Sequence, residues 1–474
     1  MSATPAGLPP EAAEPLMRAV TGTRWFAGKG RRAEYRTFTP LPWLDGGTGP
    51  DAGAGTPDGT DGAGPRVRLG VLEVGYPDEG AVEVYQLALS YRRSPVADLA
   101  AAELFRDGDD TVYDAAQDPE AASVLLAALL ESREVADETG RVRFHLRDAG
   151  ALRADLVPQV FRGQQSNTSV MYGDVAMLKL FRRLELGRNL DVQVHAALGD
   201  AGVADVADLY GWVEATWTSD GEVLGADLAM CVEKLADAED GWDLALTTLR
   251  DGGADGRADG FAGHADALGR ALALTHAALR DAFGTTDVPG ATTGATMRQR
   301  LDAAAAVAPA LDPWVTGLRN RFGALEGVDL DTQRVHGDFH LGQTLHTPSG
   351  WKIIDFEGEP AKTLAERVAP DAVWRDVAGM MRSFDYAAAT VPGENAQAWR
   401  DACREAFLTG YTDGRGLGPD DEGLLAAYEA DKAVYEVVYE VRNRPDWVEI
   451  PLSALAALAG APQSSPTPHQ GEAR

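Results

Sequence analysis

Residues 335–346 read Val335-His336-Gly337-Asp338-Phe339-His340-Leu341-Gly342-Gln343-Thr344-Leu345-His346. Further on comes Ile353-Ile354-Asp355-Phe356-Glu357-Gly358, with Asp355 at the end of an apolar run twelve residues after Gln343. Phosphoryl transfer from ATP requires a carboxylate to orient or deprotonate the acceptor hydroxyl, and Mg2+ held by hard oxygen ligands between the phosphates. In the pattern H-x-D-x-x-x-x-N the aspartate faces the acceptor and the amide five residues on binds the metal. Asp338 and Gln343 have that spacing, with glutamine in place of asparagine. Asp355 stands where the second metal-binding aspartate belongs, in the variant form Asp-Phe-Glu. A metal-hydrolase reading of His336, Asp338, His340 and Asp355 is open to an H-x-D-x-H pattern, but it leaves the N-terminal half of the chain unexplained.

An ATP site also needs a lysine on a strand, and in a chain this poor in lysine each one is informative. Lys179 lies in Val175-Ala176-Met177-Leu178-Lys179, a strand-like run that suits a lysine pairing with α- and β-phosphates. Upstream, the segment 162–169 is small and polar enough to cover phosphates with backbone N–H groups, which makes Ser166 and Ser169 ATP-binding candidates. Arg182, Arg183 and Arg188 add positive charge nearby, as a nucleotide site or as a solvated face. The apolar run ending Met230-Cys231-Val232-Glu233-Lys234 fits a hinge whose backbone meets adenine, through Met230, Val232 and Glu233. His276, at helical spacing in an apolar stretch, reads as a packing residue.

The wider composition narrows the field. The chain has 474 residues and a formal charge of -30, so broad nucleic-acid binding is disfavoured and an anionic ligand needs a local positive pocket. Two cysteines, Cys231 and Cys403, build neither a disulfide framework nor a zinc site. No basic-then-apolar leader opens the sequence, and no apolar run approaches the ~20 residues of a membrane span. The expectation is a cytoplasmic protein with small-molecule partners, acting as a monomer, without nucleic acid or membrane.

Four segments follow from the patterning. Residues 1–95 form a β-rich unit, with strands at Tyr35 to Leu44, Arg66 to Val74 and Ala81 to Tyr91 and a Gly/Asp-rich loop at 45–65. Residues 96–235 hold the ATP strands, with 97–138 read as helical. Residues 236–460 are mostly helical, interrupted by a loop at 251–264 and a short β stretch near 333–357. Residues 461–474 are a flexible Pro/Ser-rich tail. A β-containing lobe, a hinge and a larger helical lobe is a kinase-like arrangement, α+β in class.

Beyond these readings the chain resembles a known group. Arg24 to Gly30 (RWFAGKG), Asp240-Gly241-Trp242, the 336–343 and 355–360 segments, Arg375 to Met380 and Asp431 to Trp447 (DKAVYEVVYEVRNRPDW) are similar to bacterial maltokinases and to their relatives, the actinobacterial glucosamine kinases. The resemblance implies a eukaryotic-protein-kinase-like, bilobal, aminoglycoside-phosphotransferase-like fold with an extra N-terminal cap. It implies Asp338 as catalytic base, Gln343 and Asp355 as Mg2+ ligands with Glu357 beside them, and Lys179 on the phosphates of ATP. Where relatives often carry a glutamate on the next helix, this chain has Gln193, so the partner of Lys179 stays open between Asp191 and Glu185.

Both relatives phosphorylate a sugar, at the anomeric hydroxyl of maltose or at C6 of glucosamine. An ammonium group favours carboxylates and an aromatic face. Glu436 and Glu440 are four residues apart, on one helix face, although a salt-bridge row with Arg444 would give the same spacing. The segment Pro445-Asp446-Trp447-Val448-Glu449 is more acidic than is usual in maltokinases and resembles the glucosamine-kinase subgroup. Glucosamine is therefore the first expectation, with Asp338, His340, Glu440, Arg444, Asp446 and Trp447 around it, and maltose the second. A catalytically silent pseudokinase would lack Asp338, Asp355 or the lysine, and all three are present.

Overall fold

Apolar alternation in the N-terminal half is satisfied by two antiparallel sheets. In the computed structural model the chain divides into two compact units, Met1–Ala196 with Ala207–Ala236, and Ala197–Val206 with Asp237–Arg474. The structure describes residues 7–44, 64–161, 163, 167–255, 260–359, 362–391 and 393–459. Most of the expected 45–65 loop and the whole 461–474 tail lie outside the described residues.

In the first unit, strands Glu34–Trp43, Arg66–Tyr76 and Ala81–Arg92 form an antiparallel meander. Residues 97–138 are not one helical stretch. They hold the hairpin Glu103–Asp107 and Asp110–Asp114, which joins the same sheet through Leu89 opposite Asp114. Gly108, at φ +58, permits the turn, and Val112 and Tyr113 bury their side chains. An Ala/Leu-rich composition suggested helix, but part of the segment pairs with a strand some twenty residues upstream. Only Pro119–Leu130 is α-helical there, N-capped by Asp118, which accepts from the N–H groups of Glu120 and Ala121. Such a cap contributes about 1 kcal/mol.

The second sheet of this unit runs Glu134–Asp137, Gly140–Leu146, Leu209–Ser219, Glu222–Glu233, Ala176–Leu180, Thr168–Tyr172 and Pro158–Val160. Its strand Ala176–Leu180 lies between Thr168–Tyr172 and Glu222–Glu233, placing Lys179 opposite Ser169 on one side and Met230 on the other. A central strand is the stiffest place to mount a functional side chain, because both ladders restrain it.

The second unit is helical, with two small sheets that mount loops. Strands Thr344–Thr347 and Gly350–Ile353 pair between the two motif segments. The helix Gly241–Asp255 runs into the 251–264 segment expected to be loop, and Ala262–Phe283 begins inside it. Helices Ala262–Phe283 and Ala396–Tyr411 pack backbone to backbone. A Cβ on Gly269 would lie 2.1 Å from the Phe407 carbonyl oxygen, and one on Gly410 would lie 2.0 Å from that of Asp266. Among the described residues, no helix is long and apolar enough to cross a membrane.

The reciprocal glycine contact leads to a stability prediction. Gly410→Ala must push the two helices apart, because a backbone oxygen cannot yield as a side-chain tip can. It should lower stability by about 2 kcal/mol or more, read as a fall in the thermal midpoint. An unchanged midpoint would remove this contact from the account of the fold.

Candidate active site

The motif loop is held by a buried carboxylate forty residues away. Asp376, on helix Trp374–Thr390, accepts hydrogen bonds from the backbone N–H of His336 at 2.7 Å and of Gly337 at 2.8 Å. It also accepts from His276 Nε2 at 2.9 Å, and His276 Nδ1 meets the Tyr411 hydroxyl at 2.9 Å. Burial alone would raise the Asp376 pKa, yet these donors and nearby His336 hold it below the ordinary carboxylate range. His276 is therefore buried, as packing requires, but it also orients the anchor of the motif loop. Gly337 adopts φ +87, a conformation that side chains resist.

His336 ties the two motif segments together. Its Nε2 donates to the Ile354 carbonyl at 3.0 Å, and its Nδ1 accepts from the Asp338 N–H at 3.3 Å. The Ile354 N–H donates to the Gln343 carbonyl at 3.0 Å. Ile354 is thus gripped from both sides, which fixes Gln343 and Asp355 relative to each other. Asp355 sits at φ +65, in the left-handed region, immediately past strand Gly350–Ile353. Such a backbone costs about 1–3 kcal/mol and persists where surroundings enforce it. A carboxylate oxygen of Asp355 and one of Glu357 lie within 4.8 Å of each other. These, with the Gln343 amide, are hard oxygen donors of the kind Mg2+ prefers.

Asp338 opens onto a cleft of about 720 Å3 in the second unit. Its Oδ1 lies 3.2 Å from Lys432 Nζ, and its Oδ2 lies 4.0 Å from His340 Nε2. Burial would raise the Asp338 pKa, but Lys432, His340 and His336 hold it below the ordinary range, so the group is ionised at neutral pH. Burial also lowers the His340 pKa, leaving a neutral imidazole there. Its Nδ1 accepts from the Gly342 N–H, capping the turn Leu341–Gln343.

The far wall comes from helix Pro419–Asn443 and the turn after it. Glu440 is 1% exposed and accepts from the Tyr386 hydroxyl at 3.0 Å and from Arg444 at 2.9 and 2.7 Å. Glu436 accepts two bonds from buried Arg382, at 2.9 and 2.7 Å. The row is therefore half of each expectation, since Glu440 does pair with Arg444 but both carboxylates are buried and border the cleft. Tyr386 stacks on Trp447 at 6.3 Å between ring centroids. His340, Glu440, Arg444 and Trp447 line the same cleft as Asp338. Asp446 does not: it is exposed on the turn Pro445–Trp447, its neighbour Trp447 being the residue that turns inward.

Sequence reasoning missed Lys432 and Tyr386. Lys432 is one of only six lysines in the chain, so the scarcity that singled out Lys179 pointed to it equally.

In the first unit, Lys179 Nζ lies 3.0 Å from Asp191 Oδ2, so Asp191 is a partner of this lysine. Asp191 also accepts from His195 Nδ1 at 3.0 Å. Burial would raise the Asp191 pKa, but Lys179 and His195 drive it far below the ordinary range. Ser169 is buried on its strand, and Ser166 lies outside the described residues. Met230 and Val232 have buried side chains. The N–H of Glu233 donates to the Asp208 carbonyl and that of Lys234 to the Val175 carbonyl, so both amides are already used within the sheet. The three arginines also face their own unit: Arg182 pairs with Asp114, Arg183 with Glu83, and Arg188 with Asp227.

No family model matches the chain. It is 30% identical over 320 residues to a glucosamine kinase of Streptacidiphilus jiangxiensis, covering 62% of this chain and 72% of that protein. It is 30% identical over 316 residues to a glucosamine kinase of Mycolicibacterium smegmatis (strain ATCC 700084 / mc(2)155), covering 62% and 77%. Its fold is similar to that of a glucosamine kinase solved in complex with glucosamine, ADP and inorganic phosphate, with a TM-score of 0.66 at 23% identity over 93% of this chain and 98% of that one. The fold is thus the α+β, protein-kinase-like one.

The anchor of the motif loop can be tested directly. Asp376→Asn replaces one acceptor oxygen with a donor facing a backbone N–H, and should cost about 3 kcal/mol in denaturant unfolding. Because the folded-state pKa of Asp376 is depressed, its contribution is complete above the ordinary carboxylate pKa. It disappears as pH falls through the depressed value, so wild type and variant should converge in acid. A constant difference down to the lowest measurable pH would contradict this assignment.

Proposed function

Because the chain belongs to the glucosamine kinase family of ATP-dependent sugar phosphotransferases, we propose that it transfers the γ-phosphoryl group of ATP to the 6-hydroxyl of D-glucosamine. The observation that carries this reading is the cleft in which an ionised Asp338 and the buried carboxylate Glu440 border the same space. A single acceptor bearing both a hydroxyl and an ammonium group matches that pairing.

Asp338 takes the proton of the 6-hydroxyl as its oxygen bonds to the γ-phosphorus. The bond from that phosphorus to the β-γ bridging oxygen breaks, and ADP leaves. Neutral His340 borders the same end of the cleft and adds no competing positive charge. Glu440 receives the ammonium at the other end, with the face of Trp447 against the sugar. On the nucleotide side, Lys179, steadied by Asp191, meets the phosphates, and the strand end at Met230 to Glu233 meets adenine. Mg2+ would be held by Gln343, Asp355 and Glu357 and would offset charge on the β- and γ-phosphates. A single chain carries every one of these groups, and action as a cytoplasmic monomer is part of the proposal.

Asp338→Asn should lower kcat at least a thousandfold while shifting the thermal midpoint by no more than a few degrees. Retained turnover would sink the base assignment. The acceptor is tested by supplying glucosamine, maltose and glucose separately with Mg-ATP, following ADP release and locating the phosphate by NMR. Glucosamine 6-phosphate is the expected product. Maltose phosphorylated at C1, with glucosamine inert, would establish the maltokinase reading instead, and no turnover of any sugar would establish a silent binding protein.

A further inference from the structure

Lys432 is the one lysine bordering the acceptor cleft, and its position is unusual for a site proposed to take a cation. Its Nζ reaches the cleft from helix Pro419–Asn443, on an element remote in sequence from the motif loop, and meets Asp338 Oδ1 at 3.2 Å. The other oxygen of that carboxylate, Oδ2, faces His340 Nε2 at 4.0 Å, beyond hydrogen-bond reach. The two oxygens of the base are thereby made unequal. One is occupied by a cation, while the other faces a ring nitrogen too distant to engage it.

The charges around the pair are mixed and come from several elements. Asp338 is faced by Lys432 from the long helix and by His340 and His336 from its own loop. Lys432 is faced in turn by Asp338, by Glu359 from the segment after the second motif, and by Glu436 one turn along its own helix. Its Nζ also lies 5.3 Å from the centroid of the Tyr435 ring. The carboxylates Glu436 and Glu440 are engaged by Arg382 and by Arg444 with Tyr386. The cleft is thus polarised along one helix, with the Lys432 ammonium beside the base and the Glu440 carboxylate about two turns further on.

We propose that Lys432 is a positioning and specificity-determining residue, which holds Asp338 by Oδ1 so that Oδ2 receives the acceptor hydroxyl, and which turns an amino sugar so that its ammonium points away from Asp338. This rests on the reading of the chain as a glucosamine kinase. Its chemical consequence is regiochemical. A hydroxyl vicinal to the amine of glucosamine, at C1 or C3, would bring that ammonium close to the Asp338–Lys432 pair, where Lys432 disfavours it. The 6-hydroxyl, remote from the amine, would not. Lys432 thus selects the reacting hydroxyl by repulsion, while Glu440 selects the amine by attraction.

The variants are Lys432→Met, which keeps most of the volume without the charge, and Lys432→Arg, which keeps the charge. In Lys432→Met the acid limb of the kcat/KM profile should move up by about 1–3 pH units, because a neighbouring cation depresses a carboxylate pKa by that order. The sign follows from the ion pair: without Lys432, Asp338 protonates at a higher pH and the base is lost sooner on acidification. The variant should also lower kcat more than it raises KM, and yield glucosamine phosphorylated at C1 or C3 beside the C6 product by NMR. Lys432→Arg should restore the wild-type acid limb and the single product. A merely structural lysine would move the thermal midpoint but neither the acid limb nor the product. A wild-type profile and a single C6 product in Lys432→Met would overturn the proposal. The acid limb is read on whichever sugar of the panel wild type turns over, so failure of glucosamine as substrate is separable from failure of this inference. If Lys432→Met does not fold, a carbon-13 titration of the Asp338 carboxyl in Lys432→Gln and wild type reads the same pair. An Asp338 pKa unchanged there would overturn the proposal equally.

Discussion

The carboxylate of Asp376 is fully buried and accepts from two consecutive backbone N–H groups of the motif loop and from His276. A buried carboxylate is tolerated only where donors replace the water it has lost. Here the donors are the very groups that a loop with a glycine at φ +87 would otherwise leave unpaired. Each side of the arrangement therefore makes the other affordable. The anion holds the loop in a conformation that few residues adopt, and the loop supplies the anion's solvation. His336 then passes this constraint to Ile354, and Ile354 to Gln343 and Asp355. The candidate base and the candidate metal ligands keep their mutual geometry because of a residue that touches none of the reacting groups.

The acidity of the chain takes on a more local meaning beside this network. With a formal charge of -30, a phosphate site needs cations that are not already neutralised. The arginines following Lys179 each pair with a carboxylate of their own unit. Lys179 is itself paired with Asp191, but that carboxylate is shared with His195 and held firmly ionised. A lysine so held has its side-chain entropy already restrained before any ligand arrives. In the acceptor cleft the same principle recurs, because Asp338, Glu436 and Glu440 each enter the site with a cation in place.

Much of this was legible in the sequence, and the division between what was and was not is physical. The motif spacing from His336 to Asp355 pointed to the candidate catalytic segment, because a chemical task fixes residue type and separation at once. The strand carrying Lys179 and the meander at residues 34–92 followed from alternation, a local property. The hairpin Glu103–Asp107 and Asp110–Asp114 was misread as helix because its alternation is short and its stability comes from a strand elsewhere. Lys432 and Asp376 lie within the family-like segments but carry no local signal of a role, since their contacts join residues forty to ninety-four positions apart. Asp446 was over-read for the opposite reason: adjacency to Trp447 does not make two side chains share a direction.

The pre-paired state of Glu440 bears on how a cationic sugar would be recognised. An empty buried carboxylate would bind an ammonium strongly but would destabilise the protein before the ligand came. Glu440 avoids this by holding Arg444 and the Tyr386 hydroxyl. Arg444 is 44% exposed on the helix C-terminal turn, and its guanidinium also lies 4.6 Å from the centroid of the Trp447 ring. A half-solvated arginine that is moved aside keeps water and the aromatic face available to it, while the incoming amine takes over its place at the carboxylate. In the proposed reading the incoming amine replaces an exposed partner and keeps the buried one, Tyr386. The exchange preserves the charge balance of the cleft, so affinity arises from geometry and ring contact more than from net charge. Glucose, lacking the amine, would leave Glu440 with Arg444 and forgo the exchange, which is how a carboxylate that is already satisfied can still discriminate.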